Sequence, residues 1–157
     1  MFKSILGRLF WTYAIILMLV FTSVAVTVGI FVNHFAISTH MNNVISVSQN
    51  LEYWTGSLQI EDTDYRARAA YKQLLRSWGS FLNSDIIVTN SNGEVLESTT
   101  SSATVPDELV HIVTNGNIVK KYSTLNGSYK NKMMVIGVPI KYQGGIVGAS
   151  FYVTGIF

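Results

Sequence analysis

The chain has 157 residues, enough for one domain with an appendage, and it lacks cysteine, which excludes a disulfide scaffold and a cysteine-based zinc site. Charged residues make up 13% of the sequence and hydrophobic residues 48%, a composition that excludes intrinsic disorder. The net charge of +2 comes from Lys3 and Arg8, because the 9 basic and 9 acidic residues from position 33 onward cancel, and without a clustered basic face we expect no nucleic-acid partner.

The first long feature is an uncharged apolar segment over residues 9–32, with the sequence LFWTYAIILMLVFTSVAVTVGIFV. A helix of this length spans ~36 Å, which is enough to cross a hydrocarbon core of ~30 Å. Trp11 and Tyr13 lie near one end, where amphipathic rings favour the headgroup layer of a membrane. We therefore predict a transmembrane helix over residues 9–32, with the lipid bilayer as its partner.

The charges before this segment set its expected orientation. By the positive-inside rule, residues 1–8 form a cytoplasmic tip and residues 33–157 are extracytoplasmic, with the chain held in the plasma membrane. A cleaved signal peptide is the main alternative, but it needs a shorter apolar core and a small-x-small cleavage site, which does not follow Val32. A buried helix of a soluble protein is the other alternative.

An amphipathic pattern follows the apolar segment. Apolar residues recur at a mean spacing of 3.5 with polar residues between them, which predicts a helix with one apolar stripe. Two interpretations stay open: the stripe packs onto the domain's own sheet, or it forms the seam of a homodimer, because 3.5 is also the coiled-coil period. The stripe consists of Ile37, Met41, Val44, Val47, Leu51, Trp54 and Leu58.

A second helix is predicted from about Tyr65 to Leu82. Thr63 is suited to cap it, and the acidic residues around Thr63 suit the positive end of the helix dipole. Arg76 lies between the apolar and the basic face of this helix. The apolar face is expected to contain Tyr71, Leu74, Leu75, Trp78, Phe81 and Leu82.

The pattern then changes to that of strands. Residues 85–90 and 94–99 flank Asn92-Gly93, and Asn-Gly between β-forming residues predicts a hairpin. Pro106 is suited to open a short helix, and Gly116 is suited to end it. The apolar face of this short helix is expected to contain Leu109, Ile112 and Val113.

Three more strands are predicted at residues 118–125, 132–142 and 146–154. In the middle strand, Pro139 lacks an amide hydrogen and so predicts a bulge or an unpaired stretch. The fold class that follows is α+β, with a five-stranded antiparallel sheet and helices against one face. One face of the middle strand is expected to contain Met134, Ile136, Val138 and Ile140.

The sequence contains no recognisable catalytic constellation. It has no G-x-S-x-G elbow and no glycine-rich phosphate loop, and His34, His40 and His111 do not have the spacing of a metal site. We therefore expect no catalytic residue, no metal and no cofactor in this chain, and we do not expect an exported enzyme.

Three stretches of the exported part follow one another in a particular order. DIIVTNSNGEVLEST (85–99) has the form of a hairpin, VPDELVHIVTNGN (105–117) that of a short helix ending in glycine, and MMVIGVPIKYQGGIVGASFYV (133–153) that of a closing strand pair. After an N-terminal membrane helix, this order resembles the extracytoplasmic PAS-like (Cache, or PDC) sensor region of bacterial membrane sensor histidine kinases.

The resemblance implies a parent protein that is larger than this chain. In that family the last strand leads into a second membrane helix, a phosphoacceptor helix pair and an ATP-binding domain, so we expect this chain to be truncated before its second membrane helix. The chain itself is then no enzyme, and the parent is a histidine kinase that phosphorylates a response regulator. The alternatives are a chemoreceptor, a cyclic-nucleotide signalling enzyme, and a single-pass anchored interaction module without a kinase.

A sensor of this kind needs a ligand site and a moving element. We expect a pocket for a small-molecule or peptide ligand between the short helix (106–114) and the strands from 118 to 142. Ordinary solvation of a strand edge is the alternative role for its polar residues. Ligand binding would shift the helix over 37–58 between two states. The candidate ligand residues are Lys121, Tyr122, Tyr129 and Lys141.

Overall fold

The computed structural model describes residues 5–60, 65–101 and 103–155, and the chain divides into two units, Met1–His40 and Met41–Phe157. The predicted order of helices and strands is confirmed, whereas the cap predicted at Thr63 lies outside the described residues. The elements are α1 (Ile5–Ile60), α2 (Tyr65–Leu82), β1 (Asp85–Asn90), β2 (Val95–Ser98), α3 (Asp107–Thr114), β3 (Val119–Ser123), β4 (Met133–Tyr142) and β5 (Gly145–Thr154).

Helix α1 begins with the apolar segment. Residues Gly7–Val32 form a stretch that is long and apolar enough to cross a membrane. The 18-residue apolar window within this stretch has no residue that is buried by the rest of the chain. The hydroxyls of Thr12, Thr22 and Thr27 donate to carbonyls one turn earlier at 2.8, 2.8 and 2.9 Å. These bonds satisfy the hydroxyls locally, which makes them compatible with an apolar solvent.

The five strands form one antiparallel sheet in the order β2-β1-β5-β4-β3. The predicted hairpin joins β1 and β2, and Gly93 at its turn has a φ of 87°, which favours glycine. The last strand, β5, lies in the centre of the sheet and brings Val153 opposite Asp85. The PAS-like α+β fold class is thereby confirmed.

Pro139 lies where its missing amide hydrogen costs little. Strand β3 pairs with β4 only over Met133–Gly137, so Pro139 has no strand partner on that side. On the other side β5 accompanies β4, and their register shifts just after Pro139, between Ile140 and Lys141. The prediction of a bulge or an unpaired stretch in this strand is confirmed, because Pro139 is unpaired on the β3 side and a register shift follows it on the β5 side.

Helices cover both faces of the sheet, so the prediction that they lie against one face is wrong. Helices α1 and α2 cover one face, called here the α1/α2 face, and α3 covers the opposite one, the α3 face. The reason lies in the central strands β1 and β5, where consecutive apolar residues point to both faces and both must be buried. The α1/α2 face buries Val44, Val47, Leu51, Tyr71, Leu75, Leu82, Ile86, Val88, Met134, Ile136, Val138, Ile140 and Tyr152. The α3 face buries Ile87, Ala103, Val105, Leu109, Val110, Val113, Leu125, Val135, Ala149, Phe151 and Val153.

The buried side of α2 differs from the predicted one at Phe81, which is 67% exposed. A Cβ atom at Gly79 would lie 2.9 Å from the Ser84 carbonyl oxygen of the following turn and 3.9 Å from the Ile86 side chain of β1, so the helix lies close to both at this glycine. This approach centres the contact on Leu75, Gly79 and Leu82 and turns Phe81 outward, where its ring meets Trp78 edge-on at 5.9 Å.

Helix α3 also turns slightly from the predicted orientation. Leu109, Val110 and Val113 are buried, whereas Ile112 is only half-buried. The helix ends as predicted, because Gly116 follows it with a φ of 90° and donates its amide to the Val113 carbonyl.

Candidate functional site

The first two predicted ligand residues lie on the edge strand β3. Lys121 and Tyr122 are paired with Val135 and Met134, whose side chains belong to opposite faces of the sheet. Because directly opposed residues share a face, Lys121 lies on the α3 face and Tyr122 on the α1/α2 face. The ammonium of Lys121 forms an ion pair with Glu108 of α3 at 2.9 Å, and both side chains are largely exposed.

The other two predicted ligand residues lie elsewhere. Tyr129 follows β3 and packs against the α3-face core, whereas Lys141 is exposed near the end of β4, where its backbone amide donates to Glu52 at 3.4 Å. The structure therefore does not bring the four residues together at one point. The space predicted for the pocket, between α3 and the sheet, is occupied by the apolar α3-face core.

Tyr129 instead takes part in a polar cluster around Asp85, the first residue of β1. Its hydroxyl donates to Asp85 Oδ2 at 2.7 Å, and the Thr99 hydroxyl lies 3.5 Å from Asp85 Oδ1. Burial, and then the hydrogen bond to Asp85, raise the pKa of Tyr129, which keeps the hydroxyl protonated as a donor. This cluster connects the β3–β4 loop, the first strand and the end of the hairpin.

A cleft of about 430 Å³ opens beside this cluster. Its walls are the end of α2, the turn into β1 and the ends of β2 and β5. Arg76 is the cation that lines it, and within the described part of the chain this guanidinium has no hydrogen bond or ion pair. Polar groups of the lining belong to Arg76, Ser80, Asn83, Ser84, Asp85 and Thr99.

Arg76 also lines a second groove, of about 420 Å³, along the edge strand β2. There Lys72 is already paired with Glu97 at 3.2 Å, so Arg76 is the cation left to meet a ligand. The sequence pattern puts Arg76 between two helix faces and gives no sign of Asp85, because no local pattern marks a carboxylate whose partners lie 14 and 44 residues away.

The stripe predicted on the helix over 37–58 is partly buried within the chain. Val44, Val47 and Leu51 are buried in the α1/α2-face core, and Met41 packs against it. Trp54 is 49% exposed, and the side chains of Ile37 and Leu58 lie outside the described residues. Packing on the domain's own sheet therefore accounts for the three buried residues, while the homodimer stays a prediction.

Buried hydroxyls lie between this part of α1 and the sheet. Thr55 of α1 and Tyr71 of α2 share a hydrogen bond of 2.6 Å. The hydroxyl of Tyr152 on β5 is fully buried, and the hydroxyl of neighbouring Ser150 donates to the Val138 carbonyl. The packing of α1 and α2 on the sheet therefore includes buried polar groups as well as the apolar core.

The buried tyrosines predict a loss of stability in alkali. Burial raises the pKa of Tyr71 from about 10 to about 12, so the fold favours the neutral phenol. Its contribution is present below pH ~10 and is lost as the pH rises from ~10 to ~12. In denaturant titrations over this range, we expect the unfolding free energy of Tyr71→Phe to fall less steeply than that of the wild type. Tyr65→Phe, at an exposed position of the same helix, should keep the wild-type slope, and an equal flattening in both variants would contradict the prediction.

Within the described residues, no group of three or more His, Cys, Asp or Glu side chains is placed to hold a metal ion. The groups that this site offers to a ligand are the guanidinium of Arg76, the carboxylate of Asp85 and the hydroxyls of the lining.

No protein-family model matches the sequence, and no curated protein matches it either. Solved structures do match. The sensor domain of the histidine kinase DctB from V. cholerae has a TM-score of 0.47 and 10% identity, over 59% of this chain and 39% of that one. The ligand-binding domain of the Campylobacter jejuni chemoreceptor Tlp3, in complex with 4-methylisoleucine, has a TM-score of 0.45 and 15% identity, over 75% of this chain and 55% of that one.

A third similar structure is the cofactor-binding GAF domain of the nutrient sensor CodY from Clostridium difficile, with a TM-score of 0.45 and 13% identity over 73% of this chain and 83% of that one. This chain spans less than two thirds of the DctB and Tlp3 domains. The three similar proteins are sensors, and at these values the likeness concerns the fold alone.

Proposed function

We propose that this chain is the extracytoplasmic signal-sensing region of a membrane receptor. The observation that carries the proposal is the composition of α1, a single helix of 56 residues. It is apolar and exposed over Gly7–Val32, and it is buried in the sheet domain at Val44, Val47 and Leu51. A ligand that changes the packing of those three residues therefore acts on the same helix that is suited to cross the membrane.

Such a device works by population shift. A ligand moves the equilibrium between two packings of α1 only by its difference in affinity for them, typically about 1–3 kcal/mol. Helix α2 connects the cleft to α1. It contacts α1 through the hydrogen bond of Tyr71, and it lines the cleft through Arg76. We propose the cleft as the ligand site, for a small polar molecule with an anionic group that pairs with the guanidinium.

The ligand site can be tested with Arg76→Gln in the full chain, purified in detergent and screened by thermal unfolding against small carboxylates and amino acids. A ligand at 100 times its Kd adds about 2.7 kcal/mol to the unfolding free energy. We expect Arg76→Gln to lose most of this gain. The matched control is Arg68→Gln, an exposed arginine of α2 that lines neither the cleft nor the groove and should keep the gain. Equal gains in both variants would contradict the cleft as the ligand site. The same test would then be applied to the residues predicted from the sequence, which are Lys121, Tyr122, Tyr129 and Lys141.

The proposed membrane orientation predicts which introduced cysteines a maleimide can label. The chain has no cysteine of its own that would also react. In intact cells, a membrane-impermeant maleimide should label Ser101→Cys, at an exposed turn, and should leave Ser4→Cys unlabelled until the cells are opened. Labelling of Ser4→Cys in intact cells would reverse the orientation. Loss of the N-terminus from the mature chain would identify a cleaved signal peptide.

The sequence resemblance to sensor histidine kinases supports a proposal for the reaction that the receptor controls. We infer a two-component histidine kinase that acts as a homodimer and phosphorylates a response regulator, with a chemoreceptor or a cyclic-nucleotide enzyme as the alternative. The gene beyond codon 157 distinguishes them. A second apolar stretch, a phosphoacceptor helix pair and an ATP-binding domain would support the kinase, while a stop codon would leave an anchored interaction module.

A further inference from the structure

The chain contains three Asn-Gly dipeptides, at Asn92-Gly93, Asn115-Gly116 and Asn126-Gly127. Asparagine is a thermolabile residue, and before glycine it is most exposed to attack by the next backbone amide nitrogen, because glycine has no side chain to obstruct the approach. The three sites share the Asn-Gly dipeptide, so any difference in their reactivity must come from the flanking residues and from the fold.

The fold distinguishes the three by the glycine amide, which is the attacking group. The Gly93 amide donates to the Asn90 carbonyl at 3.1 Å, and the Gly116 amide donates to the Val113 carbonyl at 2.9 Å. The Gly127 amide has no hydrogen bond within the described residues. The turn around it is also open, because a side chain at Gly127 would meet nothing within 4 Å and Asn126 is exposed.

We propose that Asn126 is a site of spontaneous covalent modification by deamidation. The Gly127 nitrogen bonds to the side-chain carbonyl carbon of Asn126, and the bond from that carbon to the side-chain nitrogen breaks. The nitrogen leaves as ammonia, taking the proton of the Gly127 amide, and a cyclic imide remains. Water then opens the imide at either carbonyl, which leaves aspartate or, with the backbone rerouted through the side chain, isoaspartate. Water is the only co-reactant.

The modified turn lies directly beside the α3-face core. Leu125, the residue before Asn126, is fully buried in that core. Hydrogen bonds from the Ser128 amide to Leu125 and from the Tyr129 amide to Thr124, both 3.1 Å long, close the loop around the site. Isoaspartate lengthens the backbone inside this loop and adds a negative charge. We therefore expect deamidation to loosen Leu125 and to weaken the bond between Tyr129 and Asp85.

The test is to incubate the full chain in detergent at mildly alkaline pH and to follow the three sites by peptide mapping and mass spectrometry. Cleavage after lysine isolates Asn126 in the peptide 122–130, and cleavage after glutamate separates Asn92 from Asn115. We expect Asn126 to convert about 2- to 10-fold faster than either other site, since their amides must first break a hydrogen bond. In guanidinium chloride the three rates should converge. Equal rates in the folded chain, or a preference that persists in denaturant, would overturn the proposal.

The structural consequence needs its own control. Asn126→Gly removes the reactive amide and keeps the turn, because glycine accepts the φ of 55° found at this position. After incubation, the wild type should lose thermal stability in step with the modified fraction, and Asn126→Gly should keep its initial Tm. An equal loss in both proteins would refute the effect on the α3-face core.

Discussion

Replacement of Phe151 by alanine is expected to lower the free energy of unfolding by about 3–5 kcal/mol. Phe151 lies on the central strand β5 and is fully buried in the α3-face core. A side chain at Gly137, on the neighbouring strand, would lie 2.8 Å from the Phe151 ring, so the ring fills the space that this glycine leaves. Because two strands flank β5, the surrounding backbone has little freedom to collapse into the cavity.

The matched control is Phe81→Ala, which removes the same side chain from a position that is 67% exposed. Because Phe81 has an edge-on contact with Trp78, we expect a loss of about 0.5–1.5 kcal/mol, smaller than that at Phe151. Both variants can be measured in the full chain by denaturant unfolding with tryptophan fluorescence. A loss at Phe81 as large as that at Phe151 would mean that the helix face derived from the sequence, and not the one in the structure, describes the packing.

This pair of phenylalanines also shows what the sequence could predict. Helix and strand positions follow from local patterns, so α2 and β1 are found with the predicted bounds, Asn92-Gly93 forms the predicted hairpin turn, and Pro106 lies at the start of α3. The orientation of α2 does not follow from its own periodicity. It depends on contacts such as that of Gly79 with Ile86 of β1, which exist only once the sheet is in place.

The candidate site also depends on contacts between distant parts of the chain, so local sequence patterns do not predict it. Asp85 receives the Tyr129 hydroxyl from 44 residues away, because the chain returns beside β1 only after the hairpin, α3 and β3 have formed. The contact between Tyr129 and Asp85 depends on the order of the strands in the sheet. Strand order cannot be read directly from a single sequence. Lys121 and Tyr122 are predicted as one ligand group because both are polar residues of the strands beside the short helix, although the pleat puts their side chains on opposite faces of the sheet.

Leu51→Ala is the second large effect that we expect, with a loss of about 2–5 kcal/mol in the free energy of unfolding. Leu51 is fully buried and belongs to the part of α1 that packs on the sheet domain. Alanine is the best helix former, so α1 itself is retained and the loss reports only its packing. The control is Tyr53→Ala on the same helix, 68% exposed, for which we expect a smaller change of about 0.5–1.5 kcal/mol, set by its edge-on ring contact with Trp54.

The same variant separates stability from signalling. If α1 relays the signal, Leu51→Ala should speed amide hydrogen exchange in residues 44–56 more than in β1 and β5, because the helix opens from the sheet before the sheet unfolds. A ligand bound in the Arg76 cleft should then stabilise the variant without restoring slow exchange in α1. Exchange that rises equally in helix and sheet would show that α1 and the sheet open as one unit, and it would remove the physical basis for a relay through this helix.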